Sequence, residues 1–323
     1  MTRLRVAVVG AGPMGRLHAR TVSQASARDG DCVLAAVVDR HFARAEQVAR
    51  EYRALALDDL RRLREVDVAI VAVPTASHVE TALALAEAGL DLLVEKPLAR
   101  DAEEGQRLVD RVATLGRILQ VGHVEWYNPL WRSALARAGA PRRIRVRRLH
   151  PASERGLDVD VVQDLMLHDL DWLTRGLADE VESVEATGSG RPGGELDRAE
   201  ARLRFRSGCV AELTASRIHA FRERSIEIEG SAGTARVDLL ADADPASAAR
   251  GALDPLGRQW QAFVAAVSTR VPPENDGRAG VAALGWVERV RSLIQGPQAG
   301  RGDGREAHAS VGELGGHDPL LRR

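Results

Sequence analysis

Residues 4–15 read LRVAVVGAGPMG, and the architecture of the chain is read outward from them. Leu4 to Val9 is a short β-rich run. It breaks into Gly10-Ala11-Gly12-Pro13-Met14-Gly15, and a helical segment carrying Leu17, Ala19 and Val22 follows. Gly10 permits a tight turn, Gly12 lets the backbone approach a pyrophosphate, and Gly15 lets helix and strand pack closely. The helix start then offers free N–H groups and a positive dipole end to phosphates. Taken alone, the same spacing describes a tight turn and nothing more.

The next elements favour the dinucleotide reading. Cys32 to Val38 is apolar throughout, as a strand buried on both faces should be, and it ends in Asp39-Arg40. An acid there can take ribose hydroxyls and would repel a 2′-phosphate, so NAD is expected over NADP, although Arg40 pulls the other way. Helices follow at Ala43 to Tyr52 and Asp58 to Arg64, then a strand at Asp67 to Val73 stopped by Pro74-Thr75. Ser77 can cap a helix to Glu87 that Gly89 ends, and Leu90 to Val94 is a strand ending in Glu95-Lys96-Pro97. Asp101 caps a helix to Leu115, before a strand at Arg117 to Val121. This alternation predicts an α/β domain over residues 1–122 with a doubly wound parallel sheet.

The pattern then changes. A helix at Pro129 to Ala138 and a strand at Arg142 to His150 lead to the run Asp158–Leu173, DVDVVQDLMLHDLDWL. Strands follow at Val181 to Thr187, Arg198 to Phe205, Val210 to Ile218, Ser225 to Glu229 and Thr234 to Leu239. Strands without helices between them indicate an α+β domain with an open, mostly antiparallel sheet over residues 123–295. It includes helices from Asp254-Pro255 to Thr269 and from Arg278 to Ile294. Residues 296–323 are rich in Gly, Arg and polar residues and are expected to form a flexible tail.

On a helix of 3.6 residues per turn, Asp160, Asp164, His168 and Asp171 share one face, with Met166, Leu170, Leu173 and Leu177 opposite. Asp164 reaches His168 at i, i+4, and a carboxylate partner makes an imidazole a competent base. The pattern equally describes a solvated surface pair, and Asp160 and Asp171 read as solvated helix charges. Lys96, at the carboxyl end of a parallel strand, can donate to a substrate hydroxyl and stabilise a developing alkoxide. The stretch 122–129, GHVEWYNP, suits a sugar-binding lip or a structural crossover. Arg142, Arg143, Arg145, Arg147 and Arg148 around Ile144 and Val146 describe a solvated strand face or a diphosphate contact. His18 reads as a packing or surface residue.

The bulk numbers narrow the classes. A chain of 323 residues corresponds to about two domains. Lys+Arg 45 against Asp+Glu 46 leaves a net charge of -1, so no global field favours nucleic acid or an anionic membrane. Cys32 and Cys209 read as free buried thiols, and no histidine or acid spacing suggests a metal. No leader pattern opens the chain and no run approaches the ~18 apolar residues of a membrane span, so a cytoplasmic location is expected.

Together, GAGPMGRLH, EKPLA, GHVEWYNP and DLMLHDLDW resemble the Gfo/Idh/MocA family of sugar oxidoreductases, and DPLGRQWQAF resembles its late helix. The resemblance implies a Rossmann domain joined to an open-faced sheet domain, and oxidation of a secondary alcohol with hydride passed to a nicotinamide. It assigns the catalytic roles to Lys96, Asp164 and His168. NAD would be held by Gly10, Gly12, Pro13, Met14, Gly15, Asp39 and Arg40, with Val73, Thr75, His78, Glu95 and Lys96 on the nicotinamide side. Sugar contacts would come from Lys96, His123, Glu125, Tyr127, Asn128, Arg155 and His168. GHVEWYNP with DLMLHDLDW is similar to bacterial nucleotide-sugar 3-dehydrogenases acting on UDP-N-acetylglucosamine or its uronic acid, which feed an aminotransferase for surface-polysaccharide or lipid A synthesis. Trp126-Tyr127 departs from the Arg-Phe more usual in those enzymes. An inositol or free-sugar dehydrogenase and a dinucleotide-binding regulator without turnover are the alternatives. The open sheet is expected to expose apolar surface that pairing of subunits buries, giving a homodimer or homotetramer.

Overall fold

A computed structural model describes residues 3–152, 159–190, 195–241 and 254–296. Arg155 and the expected tail from residue 297 onward lie outside the described residues. The chain forms two compact units, Met1–Asn128 with Pro245–Gly285, and Pro129–Asp244 with Trp286–Arg323.

In the first unit β1 (Leu4–Val9) leads into α1 (Pro13–Asp29), β2 (Cys32–Val38), α2 (Phe42–Tyr52), β3 (Leu55–Leu57) and β4 (Val68–Val71). Then come α3 (His78–Glu87), β5 (Asp91–Val94), α4 (Ala102–Thr114) and β6 (Leu119–Val121). The strands lie in the order β3-β2-β1-β4-β5-β6 and every neighbouring pair is parallel. The chain runs from β1 out through β2 to β3 on one side and crosses from β3 to β4 on the other, which opens a crevice at the carboxyl end of β1. Val6, Val8, Ile70 and Leu93 from the sheet pack with Ala19 and Val22 of α1 and Val48 of α2. Burial of each large aliphatic side chain contributes about 1.5–3 kcal/mol. Asp101 caps α4 as expected, its Oδ1 accepting the Glu104 N–H at 2.7 Å.

One local expectation changes. Leu55–Leu57 adds an edge strand too short to display a period. The segment read as a helix from Asp58 to Arg64 winds only as a 3-10 turn over Leu60–Arg62. There the Asp59 carboxylate accepts the Arg61 N–H at 2.9 Å, a local bond that competes with a continuing helix.

The second unit holds α5 (Pro129–Ala138), β7 (Pro141–Leu149), α6 (Leu167–Gly176), β8 (Val181–Gly190), β9 (Leu196–Phe205), β10 (Val210–Ser216), β11 (Glu223–Gly230) and β12 (Gly233–Asp238). Its sheet order is β12-β11-β7-β10-β9-β8, antiparallel except for β7 with β10. Two late helices close the described chain, α7 (Pro255–Thr269) and α8 (Gly277–Gln295). By its place in the sequence α7 is expected in the second domain. Trp260, Phe263 and Ala266 instead enter the core beside Val22 and Cys32, so α7 belongs to the first unit. A helix face reports that it is apolar, not which distant core it covers.

The open sheet face also differs from expectation. Strand alternation puts Ile144 and Val146 inside and Arg143, Arg145 and Arg147 outside. Register sets Arg145 between Glu212 and Glu227. Arg143 pairs with Glu212 at 2.6 Å, Arg145 with Glu227 at 2.5 Å and Glu229 at 2.6 Å, and Arg147 with Glu223 at 3.2 Å. The face is a lattice of compensated charge rather than the apolar surface expected. Such partly exposed pairs contribute about 0–1 kcal/mol each.

Candidate active site

The turn after β1 is built by contact. Gly10 has φ +98°, and a Cβ on it would stand 2.4 Å from the Ala72 carbonyl oxygen; one on Gly15 would stand 1.7 Å from the Gly10 carbonyl oxygen. Gly12 is different, because a Cβ there meets nothing within 4 Å. It is the N-cap of α1, with no side-chain cap and Pro13 in the first turn, so the helix start keeps donors for a ligand. Pro13 and Met14 are exposed beside it. The Asp39 carboxylate accepts the Ala11 N–H at 2.8 Å and the His41 N–H at 2.8 Å, which orients its charge at the end of β2; Arg40 is exposed. An open cradle, bare helix donors and a fixed acid suit a dinucleotide.

Val73 and Thr75 follow β4, and Lys96 follows β5. His78 spans these two ends, with Nδ1 2.8 Å from the Pro97 carbonyl and Nε2 2.9 Å from the Val73 carbonyl. The Lys96–Pro97 peptide is cis. Lys96 is half-buried, whereas Glu95 is buried, with Oε1 2.7 Å from His18 Nε2. Burial alone would push the Glu95 carboxyl up. The His18 hydrogen bond and charge, then Lys96, outweigh it and hold the group below the usual carboxylate range.

In GHVEWYNP, His123 and Glu125 are buried, and Tyr127 and Asn128 half-buried. The Asn128 amide donates to Glu125 at 2.7 Å. Trp126 donates to Glu274 at 2.6 Å and the Asn275 amide to the His123 carbonyl at 2.8 Å, so part of this stretch fastens the first unit internally.

The helix of the second unit is less regular than its sequence suggests. Val162–Met166 is a π-helical turn and α6 begins only at Leu167. The Leu167 N–H reaches back to the Val162 carbonyl, the wider spacing that recurs at functional sites. Asp164 lies in the π turn and His168 in the first turn of α6, both half-buried. Asp160 and Asp171, read as solvated charges, are buried ion-pair members. Asp160 accepts the Val162 and Gln163 N–H groups at 2.9 and 3.0 Å and pairs with Arg291 at 2.7 Å. Asp171 pairs with Arg175 at 2.8 Å. Their partners come from a helix more than a hundred residues away and from the next turn, and the apolar period registers neither.

Several contributors were not visible in the sequence. Arg148 points inward, away from its alternating neighbours, and grips Asp169, the residue after His168. Arg217 donates to the Val159 carbonyl at 2.7 Å and pairs with Asp197 at 2.8 Å. His150, at the end of β7, is half-buried. Burial, then Arg222, Arg224 and Arg148, hold its imidazole below the ordinary range, and Asp164 pulls it back up. The inward period of α1 could have placed His18 in the core, but not against Glu95.

Known proteins share the two-domain fold. Residues 4–123 match the Gfo/Idh/MocA oxidoreductase family, NAD-binding Rossmann fold, and residues 132–236 match the Gfo/Idh/MocA C-terminal domain. The chain is 34% identical over 242 residues to UDP-N-acetylglucosamine 3-dehydrogenase of Acidithiobacillus ferrooxidans, covering 74% of this chain and 75% of that protein. It is 31% identical over 262 residues to scyllo-inositol 2-dehydrogenase (NAD(+)) of Bacillus subtilis, covering 71% and 73%. A solved structure of the Acidithiobacillus enzyme, GnnA, superposes with a TM-score of 0.79 at 31% identity over 91% of this chain and 99% of that one. With its dinucleotide turn, its two sheets and relatives spanning both units, the chain belongs to the Gfo/Idh/MocA family of oxidoreductases.

Proposed function

We propose that the chain oxidises a secondary alcohol of a sugar, C3 of a UDP-N-acetylglucosamine-type nucleotide sugar, with NAD as oxidant. The observation that carries this reading is the 34% identity over 242 residues to the UDP-N-acetylglucosamine 3-dehydrogenase of Acidithiobacillus ferrooxidans. NAD, when bound, supplies the hydride acceptor. Gly10, Gly12, Pro13, Met14 and Gly15 hold its phosphates, and Asp39 its ribose. The carboxylate is fixed by two backbone donors, and a 2′-phosphate would meet its charge, which supports NAD over NADP despite Arg40. Val73, Thr75, His78 and Glu95 line the nicotinamide side.

Lys96 donates a hydrogen bond to the reacting oxygen, and His168, oriented by Asp164, takes its proton. His123, Glu125, Tyr127 and Asn128 orient the sugar, and Arg155 meets its phosphates or carboxylate. The keto product suits an aminotransferase, the step expected to follow in surface-polysaccharide or lipid A synthesis. Among the described residues no helix is long and apolar enough to cross a membrane, and we place the enzyme in the cytoplasm. A homodimer or homotetramer is the proposed assembly, read directly by light scattering.

The test is NADH absorbance with UDP-N-acetylglucosamine, its uronic acid, free sugars and inositols, each with NAD and with NADP. Turnover on the UDP-sugars with NAD is the expected result. Turnover confined to inositols would replace this reading with the second one, which the 31% identity to the Bacillus subtilis inositol enzyme favours. No turnover on any of them would reject both.

A further inference from the structure

His18 and Glu95 lie 77 positions apart in sequence, yet their side chains meet at 2.7 Å with exposures of only 1% and 5%. Each end of the contact leads to a different part of the proposed site. His18 belongs to α1, whose start forms the dinucleotide turn and whose inward face also carries Gly15, Ala19 and Val22. Glu95 follows β5, and its second oxygen accepts the Lys96 N–H at 3.2 Å. The carboxylate therefore bridges the helix to the backbone of Lys96.

The fold reserves room for this bridge. Gly122 stands at the end of the neighbouring strand β6, and a Cβ on it would lie 2.9 Å from the Glu95 Cδ and Oε1 and 3.0 Å from its Cα. Its φ does not lie in the left-handed region, so glycine is required here by space rather than backbone conformation. A buried carboxylate persists only with hydrogen-bonding or charged partners, and among the described residues His18 reaches it from outside its own strand end.

We propose that His18 is a positioning residue for Lys96, acting through Glu95 to tie the helix of the cofactor turn to the strand end that bears the lysine. The proposal rests on the reading of Lys96 as the group that hydrogen-bonds the reacting oxygen. Without His18 the carboxylate loses its fixed partner and turns toward the Lys96 side chain, displacing the ammonium from the alcohol. Small displacements of a reacting group are costly, up to about 100-fold for ~1 Å.

The test is a double-mutant comparison on the full chain, read by single-turnover hydride transfer and by KM for NAD. H18A should lower the transfer rate about 10- to 100-fold with KM for NAD nearly unchanged. H18Q, whose amide N–H can still reach Glu95, should restore most of the rate. In a K96A background H18A should cost less than about twofold, because the group it positions is gone. G122A, which crowds Glu95 directly, should repeat this dependence on Lys96, and with H18Q it carries the test if H18A does not fold. Equal losses from H18A or G122A in the wild-type and K96A backgrounds would overturn the proposal. Near-normal turnover by K96A alone would instead reject the reading of Lys96, a separate outcome.

Discussion

Arg148 and Asp169 form a buried bidentate ion pair, Nε and Nη2 donating at 2.9 and 2.7 Å to the two carboxylate oxygens, with both side chains 3% exposed. The pair fastens β7 to α6 at the residue after His168. Breaking one side of such a pair strands a charge in the core, at a cost of about 3–5 kcal/mol. R148M should therefore destabilise the protein by about that amount in urea unfolding, whereas R148M/D169L should recover most of it. A double variant no more stable than R148M would show that the pair is not what holds this end of the helix.

Gly12 and Gly15 stand three residues apart and should respond oppositely. G15A drives a methyl into the Gly10 carbonyl oxygen, 1.7 Å from the ideal Cβ, and should cost about 1–3 kcal/mol or more. G12A meets no atom and should cost about 1 kcal/mol or less as a helix cap. Its methyl occupies the open cradle, so NAD affinity should fall although the thermal midpoint barely moves. Calorimetry and a fluorescence titration separate the two effects, and wild-type NAD affinity in G12A would place the pyrophosphate elsewhere.

In the proposed function the proton chemistry falls to Lys96 and His168, with Asp164 orienting the base. K96A and H168N should each lower turnover by about two orders of magnitude or more, the scale of general acid–base and oxyanion contributions, with NAD binding largely kept. D164N should act in the same direction by less, because it weakens the orientation of the base rather than removing it. Steady-state kinetics with whichever substrate supports turnover measure all three. Near-normal turnover in both K96A and H168N would reject the assignment.

Burial pushes the Cys32 thiol up to about 12 and the Cys209 thiol up to about 11. Well below pH 9 both are mostly protonated in the folded and unfolded chain alike. As pH rises from the ordinary thiol value of 9.0 toward the folded values, the unfolded chain releases protons that the folded one retains, so stability falls with rising pH. The native protein at pH 8 should not react with a thiol reagent, and both cysteines should react after denaturation. A fast-reacting thiol in the native state would contradict their burial.

Much of the first unit was legible in the residues themselves. The glycine spacing at Gly10, Gly12 and Gly15, the unbroken apolar strands and the acid at Asp39 are local patterns that sterics and burial impose over short runs. The same holds for the alternation of β7 to β12, the cap at Asp101 and the helix opened by Asp254. Lys96 was readable as the residue at a strand end, whereas the regular helix expected through Asp164 and His168 gives way to a π turn over Val162–Met166.

What only tertiary structure decided is which groups face each other across long separations. Asp160 looked like a surface charge until Arg291 arrived from a late helix, and His18 like filler until Glu95 met it at the end of β5. The chain returns after the second sheet to put Trp260 and Phe263 into the first core, and the outer sheet face proved to be paired arginines and glutamates. Apolar periodicity reports how much of a face is buried, but not against what. A buried charge is stable only where its partner stands, and strand register and the return of the chain supply that partner.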